Sequence, residues 1–110
     1  MVLEPGEKIH VIHRQFYGDD ARRHFVGEVV AFDGVLARVD GYLFAMDRPT
    51  NQFMKRDNPR TRIISMDSDS ILVNVLPREA KIEAITYNYR GPGDIVVTDG
   101  SDWHLDITHL

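Results

Sequence analysis

The stretch Asp102-Trp103-His104-Leu105-Asp106-Ile107 carries the residue types closest to a reactive site. An imidazole between two carboxylates can take up a proton or ligate a metal ion. Read as a strand, the segment alternates strictly: Trp103, Leu105 and Ile107 point one way, Asp102, His104 and Asp106 the other. Neighbours on one face of a strand stand about 7 Å apart, near enough for a carboxylate to favour protonated imidazole. That spacing is too wide to close a coordination sphere, so Asp102, His104 and Asp106 form at most part of a metal or acid–base site. It would need a further ligand from another strand. The competing reading is the solvated face of an edge strand, whose charges discourage sheet-to-sheet pairing. Ser101, His104 and Asp106 have the residue types of a hydrolase triad, but a strained Gly-x-Ser-x-Gly turn and oxyanion donors are missing.

Other patterns carry less chemistry. His10 and His13 are three apart, which would unite them on a helix but sends them to opposite faces of a strand. Gly91-Pro92-Gly93 reads as a turn with no following helix to present amides to phosphate, so no nucleotide loop is expected. No cofactor is implied. The strongest binding signal is basic. Arg48, Lys55, Arg56, Arg60 and Arg62 surround Phe53 with one acid, Asp57, among them, and Arg22-Arg23 can join them in space. Cations around an aromatic suit single-stranded nucleic acid, where backbone charge and base stacking act together.

The whole chain argues against general polyanion binding, since its formal charge is −4 over 110 residues. The charge is uneven: residues 1–62 hold ten Lys/Arg against nine Asp/Glu, and residues 63–110 hold three against eight. An anionic protein, or the acidic half of a second copy, is thus as good a partner for the basic segment as nucleic acid. Cysteine is absent, which excludes disulfides and thiolate chemistry. No apolar run approaches the roughly 20 residues that span a bilayer, and the first residues lack a secretory pattern. A cytoplasmic protein without membrane contact is the expectation.

The elements that must position these residues are strands. Lys8 to Arg14 reads as a first strand and Gln15 to Arg23 as a loop. Phe25 to Phe32 and Val35 to Met46 flank Asp33-Gly34, the strongest short-range signal for a two-residue hairpin. A short strand over Gln52 to Lys55 follows. Thr61 to Met66 and Ser70 to Leu76 read as a second hairpin around Asp67-Ser68-Asp69, and Pro77 to Ala80 as the start of a helical turn. Glu83 to Arg90, Asp94 to Thr98 and Asp102 to Thr108 complete a meander. The prediction is one all-β domain over residues 1–110, a small antiparallel barrel or sandwich of about eight short strands, with at most a helical turn near Pro77–Ala80.

A turn centred on Asp33 and Gly34 sets Phe32 against Val35, Val30 against Ala37, Glu28 against Val39 and Val26 against Gly41. Opposed residues share a face. Val26, Val30, Phe32, Val35, Ala37, Val39 and Leu43 would then form the core face, interrupted by Glu28. The other face would carry Arg38 and Asp40 distally and Phe25, Tyr42 and Phe44 proximally. Those aromatics are either covered as the sheet curls over them or form an exposed interface. Gly27 and Gly41 mark bends or bulges.

Several phrases carry a resemblance: Arg22-Arg23-His24-Phe25-Val26-Gly27, Gly41-Tyr42-Leu43-Phe44, Arg60-Thr61-Arg62-Ile63-Ile64-Ser65, Asn74-Val75-Leu76-Pro77, and Thr98-Asp99-Gly100 before Trp103 and Leu105-Asp106-Ile107. The chain resembles a small family of bacterial all-β proteins of about this length to which no activity is assigned. The resemblance implies a fold and no site residues. The expected function is a non-enzymatic binding module that works by protein contact or self-association. Single-stranded nucleic-acid binding and a site at Asp102, His104 and Asp106 are the alternatives.

Overall fold

Alternation of apolar and polar residues, punctuated by Gly, Pro and Asp, dictates strands almost throughout. A computed structural model, describing residues 3–13, 22–47, 49–91 and 94–107, contains nine: β1 (Lys8–His13), β2 (Arg23–Asp33), β3 (Leu36–Asp47), β4 (Gln52–Lys55), β5 (Arg60–Ser65), β6 (Ile71–Leu76), β7 (Thr86–Gly91), β8 (Asp94–Thr98) and β9 (Leu105–Asp106). The only helical element among the described residues is one 3-10 turn, Ile82–Ala84. No helix among them is long and apolar enough to cross a membrane. All pairing is antiparallel, in two sheets.

The larger sheet runs β4-β3-β2-β1-β6, and β3 is long enough to take a second partner on the same edge, β5 along Leu36–Gly41 and β4 along Phe44–Asp47. The smaller sheet runs β7-β8-β9. The large sheet buries residues on both faces. One face curls around Ile9, Val11, Phe25, Val29, Ala37, Val39 and Ile64. The other is half covered by the 3-10 turn and the small sheet, through Val26, Phe44, Phe53 and Leu76 packed with Ile82, Ile85, Val97 and Ile107. The barrel does not close: β5 ends its side of the sheet on β3, and β6 ends the other on β1. The expected β5–β6 hairpin is therefore corrected. Each strand found a distant partner instead, because burying Ile64 and Val73 on the curled face rewards pairing with β3 and β1.

The main hairpin forms, but its turn sits one residue later, at Gly34-Val35, with Asp33 opposite Leu36. Gly34 has φ of +61°, while neither Asp33 nor Val35 has positive φ. That is the sign pattern of a turn with glycine at the first central position, not of one with positive φ at both. The shift moves each pairing by two places and keeps faces intact, so Phe32 and Ala37 share a face. A bulge between Val29 and Ala31 then flips the rest of β2. Ala37 and Val39 are buried as expected, but Val29 and Phe25 join them in place of Val26. Val30, the bulged residue, is 45% exposed, and Val35, in the turn, is 48% exposed. Both leave the core face that the strict alternation assigned to them.

Gly27 and Gly41 face each other directly across β2 and β3. A Cβ on Gly41 would collide with the Val26 carbonyl, and one on Gly27 would lie 2.5 Å from the Asp40 carbonyl oxygen. The pair allows a close backbone approach where the sheet bends. At residues 77–80 the chain makes a reverse turn, with Ala80 N–H donating to the Pro77 carbonyl at 3.0 Å, and the 3-10 turn comes two residues later.

Candidate functional site

Alternation along β1 places His10 and His13 on opposite faces, as the strand reading requires. His10, fully buried, points between the sheets, on the same face as Val26 and opposite to Ile9 and Val11, and His24 does likewise. Across the gap, β7 sends Tyr87 to meet them. His10 Nε2 lies 2.8 Å and His24 Nδ1 2.6 Å from the Tyr87 hydroxyl, and Asn74 Nδ2 lies 3.3 Å from His10 Nδ1. The protons order themselves along this chain. Asn74 donates to His10 Nδ1, His10 Nε2–H donates to the Tyr87 oxygen, and the Tyr87 O–H donates to His24 Nδ1.

Aromatic packing encloses the chain. The His10 and His24 rings meet edge-on at 4.9 Å, His24 stacks on Phe53 at 4.2 Å, and Tyr87 stacks on Phe44 at 4.8 Å. Burial in this dry setting lowers the pKa of His10 to about 4. Burial lowers that of His24 to about 3, assisted by the positive potential of His10, His13 and Arg22. Burial, and then Tyr89, raises Tyr87 well above 10. Three neutral groups, satisfied by one another and sealed from solvent, make a link between sheets rather than a base offered to substrate. A further cross-sheet bond runs from Phe53 N–H to the Tyr89 hydroxyl at 2.7 Å, and Lys55 Nζ donates to the Glu83 carbonyl of the 3-10 turn at 2.7 Å. Of His10, His24, Asn74 and Tyr87, only His10 was weighed in the sequence, through its spacing to His13, and no local pattern pointed to the four as a unit.

Several predicted residues take different roles. Phe53 is buried against His24, so it is withdrawn as a platform for base stacking. Lys55 lies 4.2 Å from the centre of the Tyr42 ring and is bound to Glu83, so it too belongs to the sheet junction. Arg48 falls outside the described residues. Arg56 and Arg60 are exposed. Arg23, Arg60 and Arg62 project from the curled face, with the Arg62 guanidinium 5.6 Å from the centre of the Phe25 ring. Arg22 precedes β2 and acts electrostatically on His24. The basic segment is thus split between two faces of one sheet rather than gathered on one surface.

The aromatic interface is corrected as well. Phe25 lies in the first core, Phe44 in the second, and Tyr42 is half-buried at the border of the second. The bulge at Val30 separates Phe25 from the other two by turning it to the opposite face. Asp102, His104 and Asp106 are exposed while Trp103, Leu105 and Ile107 turn inward, so the alternation holds. Asp106 lies 3.7 Å from Arg90, and no group of three metal-ligating side chains forms among the described residues.

Where the large sheet emerges from beneath the 3-10 turn, a shallow cleft of about 430 Å³ is lined by Lys8, Glu28, Asp40, Tyr42, Lys81 and Glu83 among others. Glu28 and Asp40 are directly opposed on its floor, an unfavourable like-charge pair. Lys8 at 3.3 Å offsets Glu28, and the Thr61 hydroxyl donates to Asp40 at 2.6 Å. Comparison with protein-family models, with curated proteins and with solved structures returns no match for the chain.

Proposed function

We propose that this domain is a non-enzymatic binding module whose working surface is the outer edge of β6 and whose partner is a second copy of the chain. The observation that carries the reading is the chemistry of that edge. β6 pairs only with β1 among the described residues, and from Ser70 to Leu76 it holds neither a charge nor a proline. Folded proteins ordinarily blunt such an edge with lysine, proline or a covering loop, because its free N–H and C=O groups template further pairing. Here Leu72 is 40% exposed and Val75 59% exposed, one on each face of the strand.

The segment Ile71-Leu72-Val73-Asn74-Val75-Leu76 is close to self-complementary. A two-fold axis at Asn74, perpendicular to the sheet, sets Leu72 against Leu76 of the second copy and Val73 against Val75, apolar pairs on both sides of a central Asn74–Asn74 amide pair. A two-fold interface demands this kind of self-complementarity. Sedimentation velocity over a concentration series tests it. A monomer–dimer equilibrium is expected, with Val75→Lys shifting it to monomer while leaving the fold intact. A chain that stays monomeric at high concentration defeats the reading. Single-stranded nucleic acid is the weaker alternative, because the one aromatic in the basic segment is committed to His24.

A further inference from the structure

We propose that His13, Arg23 and Arg62 form an anion site at the rim of the first core, with the charge to hold a phosphate monoester. The placement is geometric and independent of any pairing at β6. His13 and Arg23 are directly opposed on β1 and β2, so their side chains share the curled face. Phe25, the next β2 residue on that face, is fully buried, and Arg62 reaches over it from β5 with its guanidinium 5.6 Å from the ring centre. Three cation-capable groups from three strands thus share one face beside the Phe25 position, and residues 13, 23 and 62 come together only through the tertiary fold.

Among the described residues their charge is uncompensated. The ion pairs among the described residues use Lys8, Arg78 and Arg90, and neither Arg23 nor Arg62 has a carboxylate partner there. A sheet that sets like charges opposite each other loses stability, and this one limits the loss by keeping His13 neutral. Burial, then Arg62, then Arg23, hold the His13 pKa below its ordinary value. Among the described residues, the charged groups that face His13 are Arg23 on β2 and Arg62 on β5. The residue opposite it on β6 is the uncharged Ile71, and His24 lies behind the sheet, near Arg22.

Two permanent guanidinium charges match a dianion better than a single carboxylate, and their planar donor forks fit phosphate oxygens in pairs. A neutral imidazole supplies one more N–H donor, and protonates once the anion cancels the field of the arginines.

NMR titration of His13 in the full chain, with inorganic phosphate at constant ionic strength, tests the site. The expected result is a saturable rise in the His13 pKa, a roughly tenfold stronger hold on its proton. Acetate at matched concentration should leave His13 unmoved. Arg62→Gln and Arg23→Gln should each weaken the apparent phosphate affinity about tenfold, whereas Arg38→Gln should not. Either of the two rim variants suffices if the other fails to fold. A His13 curve that ignores phosphate, that responds equally to acetate, or that still responds when the arginines are replaced overturns the proposal.

Discussion

The Tyr87 hydroxyl lies 2.6 Å from His24 Nδ1, so that one phenol of the small sheet completes a hydrogen-bonded chain begun on the large one. Tyr87→Phe keeps the ring stacked on Phe44 and removes only the oxygen. It leaves His10 Nε2–H and His24 Nδ1 without their shared partner in a dry interior. The expected cost is about 2 kcal/mol or more, since a stranded buried polar group loses stability of about 1–3 kcal/mol. Urea unfolding of the variant against the parent measures it.

Acid should loosen the same junction. In the folded chain His10 titrates near 4 and His24 near 3, against an ordinary value of 6.5. Between those limits the unfolded chain binds protons that the folded one refuses, so unfolding free energy rises with pH. The contribution is complete above about pH 7, is lost as pH falls through 6.5, and vanishes only below the folded values. From pH 7 to pH 5 the two histidines together should cost about 3 kcal/mol. His13, lowered in the same direction, adds to the trend. Denaturant midpoints across that range check the slope, and His24→Phe should remove a large part of it. A flat profile contradicts the burial of neutral imidazoles.

The glycine pair gives a steric prediction. Gly41→Ala forces a Cβ into the Val26 carbonyl and the Gly27 backbone, neither of which is a flexible side chain. A loss of about 3 kcal/mol or more is expected from overpacking. Gly91→Ala, with nothing within 4 Å of its Cβ, should change stability by no more than about 0.5 kcal/mol. Thermal or chemical unfolding of the two variants side by side makes the comparison.

The turn assignment is equally open to test. Gly34 holds φ of +61° and Asp33 does not have positive φ. Gly34→Ala should therefore cost about 1–2 kcal/mol from left-handed strain. Asp33→Ala should stay within about 0.5 kcal/mol. Equal penalties at the two positions would return the turn to Asp33-Gly34.

What the sequence determined by itself follows from short-range geometry. Side chains alternate along any strand, so β1, β4, β6 and β8 were legible, as was the opposed pointing of His10 and His13 and of His104 and Leu105. Glycine and proline marked where strands end. Tertiary structure alone decided the rest. A bulge at Val30 costs one unpaired residue and is set by how the sheet must curl, and it exchanged Val26 for Val29 and Phe25 on the core face. The β5–β3 and β6–β1 pairings are long-range choices that local patterns do not encode, because several apolar strands fit one another equally well until the cores are assembled. His10, His24 and Tyr87 became a single hydrogen-bonded unit for the same reason: residues 10, 24 and 87 meet only when two sheets pack, and the desolvation that keeps both imidazoles neutral exists only there.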